Sequence, residues 1–282
     1  MTNNTTPDIA SYDIIFINTS GGKDSQTALR LVAQEAQAAG VLDRCVAVHA
    51  DLGRVEWKGT RELAEEQVAH YGIPFHVVKR NGLDLLDQIE LERGKFPGGN
   101  QGRFCTSDQK TGACKVLCTA LVKAWHAANP NSGRRCRVLN VLGMRAQESG
   151  SRAKESPFVV EQKGWTNATM RQVDRWLPIH AWTQDEVWAD ITASGVRYHD
   201  AYKLGMPRLS CAFCVYAKRD DILIAAQHNP ELAAEYARVE AKINFPFSAK
   251  FTMAEILAER AAGIVGKPNV TVAYDATVTA VA

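Results

Sequence analysis

The chain is 282 residues long, enough to bury a sizeable core in one large domain or one domain plus an extension. Its formal net charge of +2 removes any global basic field that would advertise nucleic acid, although Lys and Arg can still cluster on one face. No apolar run approaches the roughly 18 residues that span a bilayer, and MTNNTTPDIA has neither a basic nor an apolar leader region, so a cytoplasmic protein without membrane contact is expected.

Residues 1–10 are polar and are expected to be mobile, after which Tyr12 to Asn18 reads as a short buried strand. From Asp24 to Ala39 apolar and alanine positions recur at helical spacing, and Gly40 follows as a stop. Cys45 to Ala50 reads as a second strand, Glu56 to Tyr71 as a helix, Pro74 to Val78 as a third strand and Leu83 to Glu92 as a short helix. This alternation predicts a doubly wound, mostly parallel α/β sheet.

The glycine-rich loop FPGGNQGRFC then leads to a helix from about Thr111 to Ala128, a fourth strand from Arg137 to Leu142 and the polar loop GMRAQESGSRAK. Thr183 reads as the N-cap of a helix over Gln184 to Ser194. A last long helix runs from about Arg219 to Lys242 with a break expected at Asn229-Pro230, and a shorter one lies near Met253 to Ala262. The expected organisation is an α/β domain over 12–218 and a mainly helical C-terminal part over 219–282, ending in a loose tail.

TSGGKDSQTA, Thr19 to Ala28, places a glycine pair, a lysine and two serines between a strand and a helix N-terminus, where backbone N–H groups and the helix dipole meet an anion. Ser20, Gly21, Gly22, Lys23, Asp24 and Ser25 would form that cradle. The Walker pattern needs a glycine and a Ser or Thr where this chain has Ile17 and Asp24, so the loop is of another kind. A glycine-rich turn with a solvent-facing lysine is the alternative.

SGGKDS resembles the PP-loop of the adenine nucleotide alpha-hydrolase superfamily, whose members hold ATP phosphates while the bond after the α-phosphate is cleaved. Further stretches resemble its phosphoadenosine phosphosulfate reductase-like branch. HADLGRVEW is similar to an aspartate turn and would put Asp51 near the nucleotide. GMRAQESGSR is similar to a G-x-R-x-x-E-S-x-x-R loop, implying anion-binding roles for Arg145 and Arg152 with Glu148 and Ser149 beside them. WLPIHAWTQDEVWADI and YKLGMPRLSCAFC resemble that branch's proline-tryptophan segment and its approach to a Cys-x-x-Cys pair.

The resemblance implies ATP and Mg²⁺ as cofactors, with Lys23, Arg145 and Arg152 neutralising charge at the reacting phosphate. Sulfonucleotide reductases of the branch carry a cysteine near the C-terminus that VTVAYDATVTAVA lacks, and a complete SGGKDS is characteristic of members that use ATP. The expected activity is therefore ATP-driven adenylylation in sulfur transfer, with nucleic acid as acceptor, as in DNA phosphorothioation. A cysteine desulfurase and other assembly subunits are the implied partners. A sulfonucleotide reductase and a non-catalytic nucleotide- or DNA-binding subunit are the alternatives.

Seven cysteines, an odd number, argue against a disulfide framework. Cys211-Ala-Phe-Cys214 has the spacing that lets two thiolates reach one metal, and Cys105 lies in a second glycine-rich loop. A [4Fe-4S] cluster on Cys105, Cys211 and Cys214 with an open iron resembles the arrangement in some thiolation enzymes, with zinc or a redox pair as alternatives. Cys114 is the candidate for a fourth ligand, although Cys114 and Cys118 at i, i+4 also suit a core face. Trp182 and Trp188 are expected in the core, leaving Trp165 and Trp176 as candidates for stacking bases at a surface.

Overall fold

The computed structural model describes residues 6–98 and 102–268. The tail read at 270–282 and the first five residues lie outside them, as do Asn100 and Gln101 of the glycine-rich loop. Residues 6–11 are tied down. Asp8 caps a short turn at Ile9–Ser11, and Ile9 is only 6% exposed within an apolar cluster.

The chain forms two compact units, each assembled from three stretches. Of the described residues, the first comprises those within 1–50, 61–78 and 114–198, the second those within 51–60, 79–113 and 199–282.

The first unit is built on a six-stranded sheet of order β3-β2-β1-β4-β6-β5, with β1 Ile14–Thr19, β2 Cys45–Ala50, β3 Phe75–Val78, β4 Cys136–Leu142, β5 Phe158–Val159 and β6 Arg171–Trp176. The first four strands and β6 run parallel, while β5 pairs antiparallel with β6. Parallel strands covered on both faces need apolar residues on both faces, and β1 supplies them. Ile15 and Ile17 point into one cluster with Leu29, Val32, Ala33 and Ala36 of helix α1 (Lys23–Ala38). Ile14 and Phe16 point into the opposite one with Cys114, Cys118 and Val122 of helix α3 (Gly112–Ala128), helix α2 being Thr60–Ala69. The alternation of side chains across a strand thus produces a three-layer α/β/α sandwich.

Two strands escape the sequence pattern. β6, RQVDRW, is an internal strand in which Arg171 and Asp174 are buried along with Val173, so the usual in-out alternation is absent. Both of these buried groups are paired. Tyr12 Oη donates to Asp174 Oδ2 at 2.8 Å, and Arg171 donates to Trp165 O and Thr119 Oγ1 at 2.7 Å each. Trp165 and Trp176, expected as surface candidates for stacking, are buried at 7% and 4% exposure; Trp165 packs edge-on against Phe16 and Trp176 joins the α1 cluster. Stacking on bases is therefore not open to them.

Helix α4, Gln184–Ser194, begins at the Thr183 capping box and ends at Gly195 with φ of 65°. Its Val187 and Ile191 pack with Ala28 of α1. In the second unit, α5 (Arg219–His228) and α6 (Pro230–Ile243) are separate helices broken at Asn229-Pro230, as the proline requires, and α7 spans Met253–Ala261. They share a core with Leu52, Trp57, Leu86 and Phe96. Among the described residues no helix is long and apolar enough to cross a membrane.

Candidate functional site

The order β3-β2-β1-β4 means that the chain winds outward from β1, then crosses to begin again at β4. Ligands of doubly wound sheets bind at such a reversal, beyond the carboxyl ends of the two strands. Here those ends carry the SGGKDS loop after β1 and the GMRAQESGSR loop after β4.

The first loop is shaped by its own hydroxyls. Gly21 takes φ of 69°, open to glycine without strain. Ser25 Oγ accepts from the Ser20 backbone N–H at 3.1 Å and donates to Gly22 O at 2.9 Å, and it lies 3.0 Å from Ser20 Oγ. Helix α1 starts at Lys23 with Gly22 as N-cap, so no capping side chain occupies the amides of its first turn.

Lys23 is 2% exposed, not solvent-facing, with Nζ 3.1 Å from Asp24 Oδ2. The other oxygen of Asp24 accepts from Arg145 Nε at 2.5 Å, and Arg145 is itself 3% exposed. Glu148 continues the chain. Its Oε2 accepts from the Arg145 backbone N–H at 3.0 Å and pairs with Arg152. Lys23, Asp24, Arg145, Glu148 and Arg152 therefore form one linked set. Cations gathered beside the uncapped amides of a helix N-terminus suit an anionic ligand.

The second loop is braced from three sides. Ser149 Oγ accepts from Arg152 N at 3.3 Å; Ala146 N donates to His180 O at 2.8 Å; His180 Nε2 lies 2.9 Å from the Arg152 carbonyl. Gln147 Oε1 accepts from Arg145 Nη1 at 2.7 Å and from the Gln184 backbone N–H at 2.8 Å. Gly143 has a role that its place at the head of the motif signals but residue chemistry alone does not. A Cβ there would lie 2.6 Å from the Asp24 carbonyl oxygen and 2.8 Å from Ser25 Cα, so only glycine lets β4 end against the start of α1.

Asp51 belongs to the second unit, where its Oδ1 accepts from the Gly53 N–H at 2.7 Å, an Asx turn that shapes the HADLG corner. Cys105, Cys211 and Cys214 are all in this unit, and all are partly buried. Cys211 lies in an isolated bridge with Glu56, and Ala212 N donates to Val55 O at 2.8 Å. Arg208 Nη2 stands 3.7 Å from Cys214 Sγ.

Burial raises the Cys105 thiol above the ordinary range, with the charge of Cys214 adding to it. Burial pushes Cys211 up to about 12, partly offset by Lys110 and reinforced by Cys214 and Cys105. Thiols are soft donors, and a thiolate-bound group would have to displace their protons on binding. Among the described residues, no set of three or more His, Cys, Asp or Glu side chains stands at metal-holding geometry. Cys114 and Cys118 are 5% and 1% exposed in the core of the first unit with Val122 and Cys136.

The chain matches the phosphoadenosine phosphosulfate reductase domain over residues 14–217. It is 36% identical over 74 residues, 26% of this chain and 28% of the relative, to an adenosine 5'-phosphosulfate reductase of Neisseria meningitidis serogroup A. It is 27% identical over 183 residues, 64% of this chain and 48% of the relative, to an uncharacterized 37.8 kDa protein of Escherichia phage 186. The chain thus spans less than half the length of these curated relatives. Among solved structures, the phosphoadenylyl-sulfate reductase of Candida auris is similar at 15% identity and a TM-score of 0.42, covering 72% of this chain and 84% of that one. The U34-tRNA thiolase of Methanococcus maripaludis with its [4Fe-4S] cluster is similar at 14% identity and a TM-score of 0.38, covering 85% and 72%. With a domain match running from β1 into the segment beyond the Cys-x-x-Cys pair, and with SGGKDS and Arg145 meeting at the sheet reversal, this chain belongs to the phosphoadenosine phosphosulfate reductase family of the PP-loop superfamily.

Proposed function

We propose that the protein is an enzyme that holds the phosphates of an adenine nucleotide at Ser20, Gly21, Gly22, Lys23, Asp24 and Ser25, with Arg145 and Arg152 supplying further positive charge. The observation that carries this reading is the clamp of Asp24 between two buried cations at the reversal of the sheet. Family membership and the adenosine 5'-phosphosulfate reductases among the relatives favour a sulfonucleotide as substrate. In that reaction a thiolate attacks the sulfate sulfur and releases the nucleotide. A second thiol then attacks the resulting thiosulfonate, so that two thiols become a disulfide as sulfite departs. In this reading an external dithiol supplies both thiols and leaves as the disulfide.

A second reading is favoured by the complete SGGKDS loop together with three thiols in one unit. ATP, with Mg²⁺ sharing the phosphate charge, would adenylylate an acceptor and release pyrophosphate; sulfur then displaces AMP. Cys105, Cys211 and Cys214 would hold a [4Fe-4S] cluster, whose chemistry is to carry the sulfur to be transferred. The acceptor in this reading is a nucleic acid, DNA first, with a cysteine desulfurase as donor. Asp51 is nominated near the nucleotide on the family pattern.

Purified full-length protein supplied with adenosine 5'-phosphosulfate or its 3'-phosphorylated form, plus a dithiol, is expected to release sulfite. Release of AMP and pyrophosphate from ATP, without sulfite from either sulfonucleotide, would establish the second reading. Nucleotide binding without either product would leave a non-catalytic subunit.

A further inference from the structure

We infer that Gln147 is a positioning residue for the nucleotide site, fixing the orientation in which Arg145 meets an anion; this rests on the nucleotide reading above. Arg145 is held at two points of its planar guanidinium. Nε donates to Asp24 Oδ1 at 2.5 Å and Nη1 donates to Gln147 Oε1 at 2.7 Å. Asp24 alone would leave the group able to swivel about that one bond. The second contact fixes the plane, and the Nη2 edge, which has no hydrogen-bond partner among the described residues, is left to a ligand.

Gln147 can serve as a fixed point because it is itself anchored. The same Oε1 accepts from the backbone N–H of Gln184 at 2.8 Å, in the first turn of α4. That turn is rigid by construction. Thr183 and Glu186 close a capping box across it, and Val187 and Ile191 anchor the helix in a buried cluster with Ala28 of α1. The orientation of Arg145 is thereby referred to α4, whose packing partner α1 also carries Lys23 and Asp24. Gln147 is exposed and joins no apolar cluster, so its side chain has little other structural work.

The test is ATP affinity of the full chain by titration calorimetry, in a cycle of Gln147→Leu and Arg145→Ala. Gln147→Leu, with Gln147→Met as a second variant, is expected to weaken ATP binding about tenfold while the melting temperature stays near that of the parent. In the Arg145→Ala background the same substitution is expected to change affinity less than twofold, because its only route to the ligand has gone. The Arg145 Nε–H signal in ¹⁵N-arginine spectra, identified by its loss in Arg145→Ala, is expected to broaden in Gln147→Leu. Parent-like affinity in both Gln147 variants, or an equal loss with and without Arg145, overturns the role of Gln147 while leaving the nucleotide site standing. Unchanged affinity in Arg145→Ala overturns the site itself, and with it this inference.

Discussion

Arg145 Nε and Asp24 Oδ1 are 2.5 Å apart, joining residues 121 positions distant in sequence across the seam between β1 and β4. The pair ties the two loops that follow those strands and places a partly buried carboxylate between two buried cations.

Replacing Arg145 by Ala is expected to weaken ATP or sulfonucleotide binding roughly ten- to a hundredfold, the equivalent of about 1.5–3 kcal/mol for a hydrogen bond to a charged group. Titration calorimetry checks it. Arg152, 28% exposed and already paired with Glu148, is expected to matter less on substitution by Ala.

Gly143→Ala tests the seam sterically. The added methyl meets backbone atoms of Asp24 and Ser25, not a flexible side chain, so one of the two loops must shift. A loss of about 1–3 kcal/mol in urea unfolding is expected, with nucleotide affinity falling in parallel. Parent-like values in both measurements would remove the close approach as a constraint.

Acid stability should report on Glu90. Its carboxylate accepts from Arg238 and Lys242 of α6, and these hydrogen bonds lower its pKa from 4.5 to about 2. A group whose folded-state pKa is depressed stabilises the fold above its unfolded pKa and loses that contribution as pH falls through the folded value. Glu90→Gln is therefore expected to be less stable at pH 7, by about 1 kcal/mol given how exposed the two cations are. Parent and variant should converge as pH falls from about 4.5 to about 2. Urea midpoints across that range measure it.

If the thiols of the second unit hold a cluster, iron and sulfide will co-purify anaerobically with the full chain and be lost from Cys105→Ser, Cys211→Ser and Cys214→Ser alike. Cys114→Ala should keep its iron, because Cys114 is packed among Ile14, Phe16 and Val138 as a core side chain. Iron and sulfide assays, with an absorption spectrum, decide both points.

Much of this molecule is legible where local chemistry and long-range structure agree. The apolar run before Thr19, the glycines of SGGKDS, the Thr183 capping box and the proline at 230 each act within a few residues, and each element forms where its residues direct. β6 is illegible for the opposite reason. Its buried Arg171 and Asp174 are tolerable only because Thr119 and Tyr12, far away in sequence, complete their hydrogen bonds. The site divides in the same way. Residue types point to Lys23, Arg145 and Arg152, but the pairing of Asp24 with both buried cations, the bracing by Gln147 and His180 and the clearance at Gly143 exist only once β1 and β4 lie side by side.

The interleaving of the two compact units bears on how the chain can be made. Neither is contiguous, so the parallel sheet cannot be completed until β6 has been synthesised, and the core around Tyr236 must wait for residues beyond 230. Such late pairing of distant segments gives a high contact order and slow folding, during which the apolar strands stand exposed. Expression should therefore be sensitive to chaperone supply, and a nascent chain halted before residue 171 should be degraded, not accumulated as a folded half.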